Sequence, residues 1–76
     1  MSLENNAKQI LQNFEETSSK HIIDVLDQIQ NQFQSTITKD YLQGKLKSIS
    51  DIDNEEERKT LCKHLKPYFN WYLQKS

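Results

Sequence analysis

Residues 17–34 read TSSKHIIDVLDQIQNQFQ, and this stretch predicts a helix because its apolar side chains recur at spacings of three and four. The apolar positions are Ile22, Val25, Leu26, Ile29 and Phe33. Hydroxyl side chains at 17–19 can accept hydrogen bonds from the unpaired N–H groups of a first helical turn, so the helix is predicted to begin there. The glutamine-rich end keeps the helical spacing of its apolar residues, and we interpret its polar side chains as a solvated helix face.

A second helix is predicted ahead of this stretch, from about Leu3 to Glu16, with Ser2 as its N-cap. Its apolar positions are Leu3, Ala7, Ile10, Leu11 and Phe14. They share one helix face, and the segment that joins the two helices is short. The two helices are therefore expected to pack as antiparallel neighbours.

A third helix is predicted to start at Thr38, where Ile37 and Leu42 form the pair expected of a hydrophobic staple. Its apolar stripe is Leu42, Leu46 and Ile49. Gly44 lies inside this helix and weakens it by roughly 1 kcal/mol relative to alanine. We interpret Gly44 as a tolerated surface glycine, and the alternative is a site where another helix approaches closely.

The segment after Ser50 predicts the final helix. Asp53 followed three residues later by Glu56 resembles a capping box, and the acidic residues 55–57 suit the positive end of a helix dipole. One apolar stripe continues through Pro67, whose ring and missing N–H should kink the helix or begin a new one. The stripe is Leu61, Leu65, Tyr68 or Phe69, and Tyr72.

These segments predict an all-α fold: a small antiparallel bundle of three to four helices, with the last helix kinked at Pro67, in one domain over residues 1–76. A hydrophobic content of 34% and a mean hydropathy of −0.89 are low for a self-sufficient core. A small stability margin, or burial against a partner or a second copy, is therefore expected. The central core residues are predicted to be Leu26, Leu46, Leu61 and Leu65.

The residue types present do not favour catalysis, and we predict a non-enzymatic chain without a cofactor, a metal or a small-molecule substrate. One glycine cannot form a phosphate-binding loop, and His21 and His64 do not form a helical metal-binding pair. Cys62 and His64 would project about 200° apart on a helix, so Cys62 is interpreted as a small, partly buried apolar residue. The acidic run 55–57 is interpreted as a charged helix start, because consecutive helical side chains diverge.

The chain carries no signal peptide pattern and no apolar stretch of membrane-spanning length, which predicts a cytoplasmic protein. A single cysteine fits a reducing compartment. A net charge of −1 gives no attractive field for nucleic acid. Lys59, Lys63 and Lys66 nevertheless share one side of the last helix near aromatic residues, and they are the candidate contacts for nucleic acid. The interpretation that we favour is an ordinary solvated face.

Four aromatic residues crowd the C-terminal segment: Tyr68, Phe69, Trp71 and Tyr72. These positions span more than one helical turn, so the rings cannot all face the core. Tyr68 and Tyr72 continue the apolar stripe, whereas Trp71 points elsewhere. We predict that the four residues, including an exposed side of Phe69, contact another protein or a second copy of the chain. The alternative is that Trp71 closes over the core of its own chain.

Two short stretches resemble a known family. Residues 6–10, Asn-Ala-Lys-Gln-Ile, and residues 22–26, Ile-Ile-Asp-Val-Leu, are similar to parts of the first two helices of enterocin-type bacteriocin immunity proteins. The resemblance implies an antiparallel four-helix bundle that neutralises a toxin or its membrane target. The members of that family are longer. The functional hypotheses are thus a protein-interaction or regulatory module, an immunity-type protein, and a nucleic-acid-binding helical domain.

Overall fold

A computed structural model describes residues 2–75, and it confirms the predicted all-helical class. Its five helices are α1 (Leu3–Gln12), α2 (Ser19–Gln30), α3 (Thr36–Ser50), α4 (Glu55–Lys63) and α5 (Lys66–Lys75). A single 3-10 turn, Phe14–Glu16, lies between α1 and α2. Within residues 2–75 no strand is formed. The described chain therefore has five helices where the sequence indicated three to four.

Serine side chains begin each of the first three helices. The Oγ atoms of Ser2, Ser18 and Ser35 accept hydrogen bonds from the backbone N–H three residues later, at 3.1, 3.3 and 3.4 Å. Each bond satisfies one of the donors that a first helical turn leaves unpaired. The predicted cap at Ser2 and the predicted helix start within 17–19 are thus confirmed.

Helix α3 differs from the prediction at its start. It begins at Thr36 instead of Thr38, because Ser35 supplies the capping hydroxyl. Ile37 then lies within the first turn, where it is 84% exposed. It does not pack on the buried Leu42, so the predicted hydrophobic staple is wrong. Ile37 is instead a large apolar residue on the surface.

The N-cap of helix α4 lies one residue later than predicted. Asn54, not Asp53, precedes the helix, and its Oδ1 accepts a hydrogen bond of 2.9 Å from the N–H of Glu57. The predicted cap at Asp53 is therefore wrong. This register makes Glu55 the first helical residue, and its carboxylate contacts the start of helix α2.

Gly44 lies on the exposed face of α3. A β-carbon placed at this position would meet nothing within 4 Å, so no other helix approaches closely. The interpretation of Gly44 as a surface glycine is confirmed.

The core collects residues from every helix and from the 3-10 turn. Its buried apolar members are Ala7, Ile10, Phe14, Ile22, Val25, Leu26, Ile29, Leu42, Leu46, Ile49, Cys62, Leu65 and Phe69. Three of the four predicted core leucines, Leu26, Leu46 and Leu65, are buried, and Leu61 is half-buried against the core. Cys62 is fully buried, and this burial raises the pKa of its thiol to about 11. Cys62 thus packs as a small apolar residue.

Helix α2 is central, because it packs against α1, α3, α4 and α5. Helix α1 packs against α5 at the other side of the core. The Nζ atom of Lys66, at the start of α5, lies 4.5 Å from the ring centroid of Phe14, just beyond the end of α1. The first and last helices therefore run antiparallel.

Pro67 lies in the first turn of α5, where a missing N–H costs no helical hydrogen bond. Helix α4 ends at Lys63, and α5 begins at Lys66 after a two-residue turn of His64 and Leu65. Of the two outcomes expected at Pro67, a kink or a new helix, the structure has the new helix.

Candidate protein-binding groove

An open groove runs between α3 and the corner that joins α4 to α5. Apolar and hydroxyl side chains line the end near the α2–α3 loop, including Phe33, Ser35, Thr38 and Trp71. The end near α4 is lined by residues that include Tyr41, Lys45, Ile49, His64 and Leu65. Pro67 and Tyr68 line both of these depressions, of about 340 and 500 Å³, which therefore adjoin at these two residues. We call this feature the α3–α5 groove.

Three aromatic rings form the end of the α3–α5 groove near the α2–α3 loop. The ring centroids of Phe33 and Trp71 lie 4.5 Å apart with an interplanar angle of 67°, an edge-to-face contact. Phe33 also contacts Tyr68 at 5.7 Å and 47°. Trp71 thus covers part of Phe33, yet 39% of its own surface stays exposed.

Large apolar side chains are exposed along this groove. Within residues 2–75, the strongly exposed ones are Ile37 at 84%, Tyr41 at 55% and Trp71 at 39%. Ile37 and Tyr41 lie four residues apart on α3, so they share a helix face. Tyr41 and Trp71 line the two ends of the groove, and Ile37, which lines neither end, lies one turn before Tyr41 on α3. Exposed apolar surface that is gathered on one face is typical of an interaction site.

The four aromatic residues predicted to contact a partner take different positions. Tyr68 and Trp71 line the groove, whereas Tyr72 is half-buried against the core and lines neither end. Phe69 is 0% exposed, so the expectation that one side of its ring is exposed is wrong. The reason is the rotation of α5, which directs Phe69 at the centre of the bundle and turns Trp71 outward.

The contribution of the α2–α3 loop and of α3 to this groove is not among the sequence predictions. Phe33 belongs to the predicted core stripe of the helix that begins within 17–19, and Ile37 belongs to the predicted staple. A signal for the site was present, because Ile37 and Tyr41 recur at a spacing of four outside the buried stripe of α3. A large apolar pair outside the buried stripe indicates a second apolar face.

The side chains that line the groove include a lysine and no carboxylate. None of the side chains lining either end is an Asp or a Glu, whereas Lys45 and His64 both line the end near α4. The Nζ atom of Lys45 lies 5.5 Å from the ring centroid of Tyr41. Desolvation by burial, together with the nearby phenol of Tyr41, raises the pKa of Tyr68. Tyr68 therefore remains a neutral hydroxyl.

Lys59, Lys63 and Lys66, the candidate nucleic-acid contacts, come together around residues 14–17. The Nζ of Lys59 donates to the carbonyl of Phe14 at 2.6 Å and to the carbonyl of Thr17. Lys63 forms an exposed ion pair of 3.6 Å with Glu15. Lys66 lies over the ring of Phe14. Each of the three charges thus faces a group of the chain itself.

A polar contact ties the start of α4 to the start of α2. The carboxylate of Glu55 accepts hydrogen bonds from the N–H of Ser19 at 2.8 Å and from its Oγ at 2.6 Å. The Nη2 atom of Arg58 donates to the same carboxylate at 3.1 Å. The Ser19 hydrogen bonds, and then Arg58, lower the pKa of Glu55 to about 2. We call this contact the Ser19–Glu55 clamp.

Glu55 therefore has a structural role within the acidic run 55–57. Within residues 2–75 no group of three or more His, Cys, Asp or Glu side chains is arranged to hold a metal ion. None of the described helices is both long enough and apolar enough to cross a membrane.

Comparison of the chain with protein-family models, curated proteins and solved structures finds no match. The resemblance of residues 6–10 and 22–26 to bacteriocin immunity proteins therefore stays a prediction.

Proposed function

We propose that this chain is a non-enzymatic protein-interaction module that binds its partner through the α3–α5 groove. The observation that carries the proposal is the exposure of Tyr41 and Trp71, which line the groove, and of Ile37, one turn before Tyr41 on α3. Aromatic residues that are partly seated in a pocket are the side chains that dominate binding energy at protein interfaces.

The low apolar content of the chain supports the same proposal. A chain with 34% hydrophobic residues can spare few large side chains from its own core. Ile37 nevertheless remains 84% exposed and Tyr41 remains 55% exposed. These two exposed side chains add little to folding, and burial by a partner would give them a function.

A pair of variants tests the proposal. Ile37→Ser with Tyr41→Ser removes apolar surface from the groove rim but leaves the core intact, because both side chains are exposed. Lys8→Gln with Gln12→Ala is the control on α1, also at exposed positions. Parent and variants serve as baits in extracts of the producing cells, and each retained protein is then purified and titrated by calorimetry.

We expect a purified partner to bind the parent and the control equally. The groove variant should bind it at least about tenfold more weakly, because interface anchors contribute about 2 kcal/mol or more when truncated. Equal binding by all three baits, or no partner that distinguishes the groove variant, would show that the groove is not the binding site.

A further inference from the structure

We infer that the α3–α5 groove receives an amphipathic helix of another protein, with apolar anchors on one face and acidic side chains beside them. This inference rests on the proposed function and specifies which side chains the partner presents. Three features support it: the walls of the groove are helices that use their backbone groups internally, the lining includes a lysine and no carboxylate, and the strongly exposed apolar side chains lie at or near the groove.

The groove walls favour a helix over an extended peptide. Helices α3 and α5 use their backbone N–H and C=O groups internally, so their flanks offer side chains for recognition. An extended peptide over the apolar floor of Phe33, Leu65 and Tyr68 would find no strand edge to pair with. A helix satisfies those groups within itself and presents only side chains.

The charge of the groove selects acidic flanks. Apart from the two tyrosines, the ionisable side chains that line it are Lys45 and His64. No carboxylate lines either end, so an acidic helix meets attraction from Lys45 and no like charge along the groove. A basic helix would instead be repelled by Lys45.

A second copy of the chain is a poor occupant. Within residues 2–75, the strongly exposed large apolar side chains are Ile37, Tyr41 and Trp71; Tyr41 and Trp71 line the groove, and Ile37 lies one turn before Tyr41 on α3. Two copies could bury these residues only groove against groove. A two-fold contact of that kind would bring Lys45 and His64 of both copies into one interface, with like charges facing each other.

Designed peptides test the inference directly. The first is a tryptophan-free helical peptide with Leu or Phe at positions i, i+4 and i+7 and Glu on both flanks. The second has Lys in place of each Glu, and the third has the composition of the first in scrambled order. Trp71 is the sole tryptophan of the chain and lines the groove, so its fluorescence reports occupancy.

We expect the acidic peptide to shift Trp71 fluorescence to the blue in a saturable manner. The basic peptide should bind about fivefold more weakly at low salt, because Lys45 attracts Glu and repels Lys, and the difference should shrink as salt is added. Lys45→Glu should reverse the preference between the two peptides. Lys8→Glu, an exposed charge change on α1, should leave it unchanged.

Several outcomes would overturn the inference. Equal binding of acidic and basic peptides, insensitive to Lys45→Glu, would remove the charge argument while leaving the groove as a protein-binding site. A concentration-dependent dimer that Ile37→Ser and Tyr41→Ser abolish would identify the occupant as a second copy. If all three peptides fail to bind and the bait experiment also finds no groove-dependent partner, the proposed function fails as well.

Discussion

The two sides of the α4–α5 unit differ in how their side chains are used. Around the start of α4, polar side chains are paired with the α1–α2 segment, through the Ser19–Glu55 clamp and the contacts of Lys59 with carbonyls of residues 14–17. Around the start of α5, apolar side chains such as Trp71 remain partly open to solvent along the α3–α5 groove. The first side joins α4 to the α1–α2 segment, and the second leaves apolar surface exposed.

The sharpest test of this division compares two neighbours on α5. Phe69→Ala removes a completely buried ring and should lower the free energy of unfolding by about 3–5 kcal/mol. Trp71→Ala removes a ring that is 39% exposed and should cost clearly less, about 1–2 kcal/mol. Thermal and urea unfolding followed by circular dichroism measure both values. Equal losses would assign Trp71 to the core and remove it from the groove.

A second test addresses the Ser19–Glu55 clamp through pH. Hydrogen bonds lower the pKa of Glu55 from 4.5 to about 2, so the folded state binds this proton less tightly than the unfolded chain. The clamp therefore stabilises the fold above pH 4.5, and its contribution is lost as pH falls from 4.5 through about 2. Glu55→Gln keeps the shape of the side chain but removes this dependence.

We expect the urea midpoint of the parent to fall more steeply than that of Glu55→Gln as pH is lowered through this range, and the two curves to converge at the acid end. Glu56→Gln, an exposed neighbour, should follow the parent. A constant difference between parent and Glu55→Gln at every pH would contradict a role for the carboxylate charge.

The smallest effect is expected at the start of α4. Asn54→Ala should reduce the free energy of unfolding by about 0.5–2 kcal/mol, because the N–H of Glu57 loses its acceptor. Asp53→Ala should have little effect, since Asp53 is exposed and lies outside the cap. Urea unfolding of the two variants at neutral pH measures the difference. The reverse order would restore Asp53 as the cap.

Local patterns were sufficient to predict the helical class and most of the core. The spacing of Ile22, Val25, Leu26 and Ile29 requires only that one helix face be buried, and all four are buried. The capping serine Ser2 is likewise determined by its nearest neighbours in the chain. Such features depend on a few adjacent residues and can be read before the fold is known.

Features that depend on contacts between helices could not be predicted in this way. Asp53 and Asn54 are both good caps, and the choice between them accompanies the contact of Glu55 with Ser19, which is distant in sequence. The same holds for the rotation of α5, which decides that Phe69 is buried and Trp71 is not. The groove is lined by residues of both α3 and α5, and the spacing of residues within one helix cannot predict how two helices are placed.

The pairing of α1 with α5 has a consequence for how the chain folds. These two helices are the first and the last of the described residues, so their contact closes a loop that contains every other helix. The entropy lost in closing a loop rises only slowly with its length, but long-range contacts slow the search for the native state. Helices α2 and α3, which adjoin in sequence and pack together, can associate early, whereas the antiparallel docking of α5 on α1 is expected to complete the fold.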